Sequence, residues 1–319
     1  MKKEESFGEG EGTLFTLNYS RPLPMRLDRW LVSQRPEQTR ARIQKFIEAG
    51  LVQVNGIRGK AKTPLREGDE IKLWMPPPEP LPYLKPERMS LDILFEDKDI
   101  IVINKSAGLA VHPAPGNKNG TLVNGVLYHC KDLPGISGKL RPGIVHRLDK
   151  DTTGCIVIAK SQEALVNLQI QIQKRIASRK YIAVVHGAPK GEKGVIIGSI
   201  GRHPIDRKKY SVVSENEGRY ACTNWELKER INDYSLLGFQ LDTGRTHQIR
   251  VHCAHIGHPI VGDVTYSRCR KLPVKLSGQA LHAISLGLKH PRTNEAMIFE
   301  APLPNDFKRL LKNIRSSSG

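Results

Sequence analysis

Several things are scarce in this 319-residue chain, and each scarcity excludes something. No apolar run approaches the roughly 18 residues needed to span a bilayer. The opening Met1-Lys2-Lys3-Glu4-Glu5-Ser6 has no apolar signal core either. A cytoplasmic protein with no membrane attachment is the expectation. Cysteine is limited to Cys130, Cys155, Cys222, Cys253 and Cys269, an odd and widely spaced set with no CxxC. That argues against a disulfide framework and fits a reducing compartment. Acid is short as well: 32 Asp and Glu face 50 Lys and Arg, a formal net charge of +18. Solubility alone does not need so large an imbalance. It points to a polyanionic partner, nucleic acid first. GxGxxG, P-loop and nucleophile-elbow motifs are all missing, so redox-cofactor and ATP chemistry have no support.

The length suggests one small and one large domain. Residues 1–24 are rich in Gly and Glu and read as a flexible tail. Within residues 25–75, Leu27, Trp30, Leu31, Ile43, Phe46 and Ile47 recur at helical spacing, followed by two short strand patterns. This helix–helix–strand–strand unit holds eleven Lys and Arg against six acids between Arg26 and Lys72. Residues 76–90 carry Pro76, Pro77, Pro78, Pro80, Pro82 and Pro86, the composition of a semi-rigid linker. Residues 91–305 alternate apolar runs with Gly and Pro turns. Strands are expected at 100–104, 155–160, 180–186, 220–228, 235–242, 281–288 and 296–300, and a helix at 161–176. The short connections favour a mixed, mostly antiparallel sheet, hence an α+β fold. Residues 306–319 read as a basic, frayed tail.

The segment His146-Arg147-Leu148-Asp149-Lys150-Asp151-Thr152-Thr153-Gly154 stands out. It places charged groups on a loop between two β-branched runs, a rigid frame of the kind that carries catalytic groups. A solvated charged turn is the plain alternative. Asp149 and Asp151 could form an acid–base pair as in a glycosidase. Yet the neighbouring cations Arg147 and Lys150 favour the charged carboxylate, which suits a nucleophile or base better than an acid. Residues 247–258 hold four histidines and a cysteine. Without CxxC or HExxH, they read as hydrogen-bonded histidines on a packed helix rather than as zinc ligands. Arg179-Lys180-Tyr181 combines cations with an aromatic, a pattern that serves phosphate contact and base stacking. A helix end followed by a core tyrosine explains it equally well.

Taken in order, these motifs resemble the Rlu-type RNA pseudouridine synthases. Residues 146–154 resemble the family signature, and Asn104-Lys105-Ser106-Ala107-Gly108 through His112-Pro113 an earlier motif, with Ser106 in place of its usual Pro. Arg179-Lys180-Tyr181, Gly244 to Arg250, and Gly257 to Tyr266 resemble its later motifs. The likeness covers about residues 91–303, and residues 26–73 resemble an S4 RNA-binding domain. The resemblance implies a twisted, mixed, mostly antiparallel sheet with a central cleft, and isomerisation of uridine to pseudouridine without cofactor or metal. It implies Asp149 as the essential carboxylate, Arg245 as the cation paired with it, and Tyr181 as the ring stacked on the uracil. Arg147 would fill the place of the flipped-out nucleotide, while Asp151 would serve loop structure. Arg26, Arg29, Arg40, Arg42, Lys45 and Lys180 are the candidate RNA-binding cations. The expected partner is ribosomal RNA of the large subunit, with transfer RNA the alternative, and the expected state a monomer. A non-catalytic ribosome-assembly factor is the competing reading.

Overall fold

The computed structural model describes residues 12–35, 40–75, 84–113, 119–130, 133, 142–206, 209–267, 272 and 274–316. The chain divides into two units, Met1–Leu81 and Pro82–Gly319.

The N-terminal unit runs β1 (Thr13–Asn18), β2 (Met25–Arg26), α1 (Leu27–Gln34), α2 (Arg40–Glu48), β3 (Val52–Val54), β4 (Ile57–Arg58), β5 (Pro64–Leu65) and β6 (Glu70–Met75). The expected apolar positions of α1 and α2 close over Val52, Ile71 and Leu73, with Tyr19 sealed beside Trp30. One expectation is corrected. The tail proposed for residues 1–24 includes β1, antiparallel to β6 in a sheet of order β1-β6-β3-β4. Phe15 and Leu17 pack against the core while Leu14 and Thr16 face out. The strand follows a Gly/Glu-rich stretch whose composition masks this two-residue alternation.

The C-terminal unit runs β7 (Ile93–Glu96), β8 (Ile100–Lys105), α3 (Leu122–His129), β9 (Thr153–Ala159), α4 (Gln162–Gln173), β10 (Ser178–His186), β11 (Lys193–Arg202), β12 (Tyr210–Val213), β13 (Arg219–Ile231), β14 (Tyr234–Leu241), α5 (Gln248–His255), β15 (Leu281–Lys289), β16 (Ala296–Glu300) and α6 (Asn305–Ser316). One sheet takes all ten strands described in this unit, in the order β12-β11-β13-β14-β10-β15-β9-β8-β7, with β16 added on β15. Among the described residues its single parallel pairing joins β15 to β9; the others are antiparallel. The sheet is therefore mixed and mostly antiparallel, and the fold class is α+β.

β8 and β9 show why the sheet is covered on both faces. Ile101, Ile103, Ile156 and Ile158 join a core with α3 and α6, while Ile100, Val102, Cys155 and Val157 join a second core with α4. Alternate residues of a strand point to opposite faces, so continuous β-branched runs need cover on both. The C-terminal expectation is corrected here. Residues 305–316 form α6, whose Phe307, Leu310, Leu311 and Ile314 are buried at helical spacing. The basic composition of residues 306–319 describes only the outer side of that helix. Of the expected linker, residues 76–83 lie outside the described residues. The rest is strapped to α3: Asn124 Nδ2 donates to Lys85 O at 2.8 Å and Glu87 N–H to Asn124 O at 2.9 Å.

Among the described residues no helix is long and apolar enough to cross a membrane.

Candidate active site

The charged loop enters β9 at Thr153, where β9 meets β15. Gly154 has φ of 108°, a conformation other residues avoid, and a Cβ there would strike the backbone of Ala283. Thr153 Oγ1 is bonded to His282 Nδ1 at 2.7 Å, and Gln279 Nε2 donates to Thr152 Oγ1 at 2.8 Å. From the end of β8, the buried Lys105 ammonium donates to the carbonyls of Ser106, Leu109 and Lys150, the last at 2.9 Å. His146 is half-buried with its Nδ1 shielded, and the Val157 N–H donates to its Nε2 at 3.2 Å. Burial, with the charge of Arg179, pushes His146 down to about 3, so it is neutral at physiological pH. The loop around Asp149 is thus tied to three strands.

Asp149 lies in a cleft of about 500 Å³, together with Arg147, Arg179, Tyr181, Arg245 and Arg250. Its Oδ2 accepts from Arg250 Nη1 at 3.0 Å. The other edge of Arg250 is clamped by Asp263: Nε donates to Oδ2 at 2.7 Å and Nη2 to Oδ1 at 2.9 Å. The backbone N–H groups of Thr265 and Tyr266 also donate to Asp263 Oδ1. Such a bidentate pair fixes the plane of the guanidinium. Two carboxylates share one buried cation, and they raise the pKa of Arg250 despite burial. His247 caps α5 with φ of 57°. A left-handed histidine is strained, a feature that clusters at functional sites. Its Nδ1 meets the Tyr266 hydroxyl at 2.8 Å and its Nε2 lies 3.9 Å from Asp149 Oδ1. Burial lowers the pKa of His247, so the contact with Asp149 involves an uncharged ring. The Tyr210 N–H donates to the Tyr266 hydroxyl at 3.0 Å, which joins β12 to this group.

Tyr181, a residue 7% exposed, projects from β10 into the same cleft. Burial raises its pKa, which keeps the phenol protonated at neutral pH. Arg147 is exposed on the cleft wall.

Two expected roles are placed differently by the structure. The cation paired with Asp149 is Arg250, not Arg245. Arg245 lies at the cleft margin, where its Nε donates to Tyr220 O at 2.9 Å. The reason is helix phase: Arg250 sits in the first turn of α5, aimed at the loop, whereas Arg245 precedes the cap. Lys180 is not in the cleft. Along β10, Arg179 and Tyr181 face it, so Lys180 between them points to the opposite face of the sheet. Arg250, Asp263, His247 and Tyr266 all lie within the family-like motifs, yet the sequence assigns them no role. Only the Arg/Asp pairing offered a signal, as a cation and an acid each flanked by apolar residues.

Two of the remaining histidines of the 247–258 segment have ordinary partners, and His255 is exposed. His252 Nδ1 is bonded to Thr223 Oγ1 at 2.9 Å and His258 Nδ1 to His186 O at 3.0 Å. Cys130, Cys155, Cys222 and Cys253 are free thiols.

In the N-terminal unit, Arg26 is bonded to the buried Asp28 through Nε and Nη2, each at 3.0 Å. Arg29, Arg42 and Lys45 are exposed. The backbone of Arg40 lies in α2, and its side chain is outside the described residues.

The chain is similar to known proteins over most of its length. The RNA pseudouridylate synthase family pattern matches residues 99–255, and the S4 domain pattern matches residues 25–71. An uncharacterized RNA pseudouridine synthase of Synechocystis is 49% identical over 310 residues, which cover 97% of this chain and 92% of that protein. A ribosomal large subunit pseudouridine synthase D of Nitrosomonas europaea is 43% identical, across 92% of this chain and 85% of that protein. The solved structure of human RNA pseudouridylate synthase domain containing 4 superposes with a TM-score of 0.55 at 28% identity, covering 70% of this chain and 93% of that one.

Proposed function

The chain belongs to the RNA pseudouridine synthase family and is an RNA pseudouridine synthase with an S4 domain; from that premise we propose that it converts uridines of large-subunit ribosomal RNA to pseudouridine, with Asp149 as the reacting carboxylate. The similarity to large-subunit enzymes of Nitrosomonas and Neisseria favours the ribosomal target over transfer RNA. Cytoplasmic location and a monomeric state belong to the same reading.

The observation that carries the reading of Asp149 is its fixed geometry: a carboxylate in a cleft, held by Arg250 and backed by Asp263. The reaction breaks the C1′–N1 bond and joins C5 to C1′, with no net gain or loss of atoms. A single carboxylate serves it, either by attacking C1′ or by taking a ribose proton to leave a glycal. Tyr181 offers a ring face for the uracil. A base stacked in RNA must leave its stack to reach such a cleft, and Arg147 on the wall is placed to occupy the gap.

The test is a map of pseudouridines in RNA from cells with and without this gene. Loss at uridines of large-subunit ribosomal RNA is the expected result. Loss confined to transfer RNA, or no loss, contradicts the proposal.

A further inference from the structure

Arg179 is a buried cation without an anion. It is 7% exposed, its Nε is shielded with no hydrogen-bond partner, and among the described residues no carboxylate is paired with it. The other buried cations of this unit are satisfied: Arg250 lies between two carboxylates and Lys105 on three carbonyls. Leaving a charge buried and uncompensated is costly. Yet the surroundings hold Arg179 in place. The alternation of β10 aims it into the cleft beside Tyr181, and Gly244 makes room for it. A Cβ at Gly244 would lie 2.8 Å from Arg179 Nη1, so any larger residue would displace the guanidinium. His146, close enough to feel the charge of Arg179, is neutral and supplies no counter-charge. This is a site prepared for a negative charge that arrives from outside the protein.

We propose that Arg179 donates hydrogen bonds to a carbonyl oxygen of the target uracil and stabilises the negative charge the base takes up as C1′–N1 breaks. When that bond opens, its electron pair passes to the uracil, where it spreads onto O2 and O4. C1′ is meanwhile bonded to Asp149, or, by the other route, a ribose proton passes to Asp149. When C5 then bonds to C1′ through the uracil's pair, the C1′–Asp149 bond breaks and its electrons return to the carboxylate, or, by the other route, Asp149 gives the proton back to the ribose carbon. The C5 proton then leaves and N1 takes up a proton. Arg179 gains and loses nothing, and acts only through the charge. Arg179 and Tyr181 are two residues apart on one strand face, about 7 Å. A base stacked on Tyr181 therefore extends toward the guanidinium. Phosphates have other cations, since Arg147 and Arg175 are exposed on the cleft margin. A preorganised donor at a developing charge, in a site that excludes water, is the commonest large contribution to catalysis. The inference rests on the reading of Asp149 as the reacting carboxylate.

The experiment compares full-length wild type, Arg179→Met, Arg179→Lys and Asp149→Asn. The probe is total RNA, labelled with 5-tritiated uridine, from cells lacking the gene. Tritium release is measured with enzyme in excess, RNA affinity across a salt series, and thermal melting for each variant. The Met variant is expected to release tritium about 100-fold more slowly or worse. Its affinity, salt slope and melting midpoint should match or exceed those of wild type, because an uncompensated buried charge has been removed. The Lys variant should recover part of the rate. Weakened binding with a salt slope smaller by about one, and an unchanged rate at saturation, would make the ligand a phosphate and overturn the inference. A lowered midpoint with both variants inactive would make Arg179 structural and overturn it too. Wild-type release by Asp149→Asn would remove the premise. An inactive Asp149→Asn beside a fully active Arg179→Met would sink this inference alone.

Discussion

Arg250 Nη1 reaches Asp149 Oδ2 at 3.0 Å from a helix 101 residues further along the chain. The two residues meet because Asp263 grips the Nε–Nη2 edge of the same guanidinium, which leaves Nη1 free to aim the carboxylate. The position of Asp149 is therefore set from behind, by a residue that touches no reacting atom.

That relay predicts unequal costs. Asp263→Asn keeps the shape but weakens the grip, so single-turnover conversion should fall while RNA affinity holds. Arg250→Met strands the buried Asp263 and the half-buried Asp149 and should destabilise the fold by about 3–5 kcal/mol. Chemical denaturation and tritium release read the two effects separately. Wild-type rates in both variants would refute the relay.

The Tyr181 hydroxyl makes no hydrogen bond among the described residues, so the fold does not use it. Tyr181→Phe should melt as wild type does and bind RNA as well. If the phenol assists proton movement at C5, conversion slows by about 100-fold. If the ring serves only for stacking, the Phe variant is fully active and Tyr181→Leu is not. Rates of these two variants at saturating enzyme distinguish the roles.

Burial holds several histidines below their ordinary 6.5, His146 at about 3 and His252 at about 4, with His247 and His282 also lowered. Between those values the unfolded chain binds protons that the folded chain does not. Their contribution to stability is present above 6.5 and lost as the pH falls below it. Unfolding free energy should therefore decline from pH 6.5 to 4. His146→Gln can still accept from the Val157 N–H but takes up no proton, so it should show a shallower decline. An identical slope would exclude His146 from the acid response.

The S4 unit is expected to grip phosphate. Joint replacement of Arg29, Arg40, Arg42 and Lys45 by Ala should weaken RNA binding and flatten its salt dependence, by about 0.7 in slope for each single-strand phosphate no longer neutralised. Melting of the C-terminal unit should not change. An unchanged salt slope would remove these residues from the interface.

Motif order alone brought Asp149, Tyr181 and the 244–250 segment into one cleft, and two-residue periodicity placed most of the central strands. What remained hidden depends on phase and direction. Arg245 and Arg250 share one motif, and only the start of α5 after the left-handed His247 decides which of them meets Asp149. Lys180 and Arg179 are adjacent, and only the pleat of β10 decides which enters the cleft. α6 is obscured because its eight polar and charged residues outnumber its four apolar anchors. β11 was missed because Gly194, Gly198 and Gly201 lower its strand signal.

The central claim is that Asp149 carries the chemistry, and one substitution tests it most directly. Asp149→Asn keeps the size of the side chain and an acceptor for Arg250 while removing the reacting carboxylate. The expected result is a folded protein that binds RNA as wild type does and forms no pseudouridine under single-turnover conditions. Pseudouridine formation at a rate comparable to wild type would contradict it.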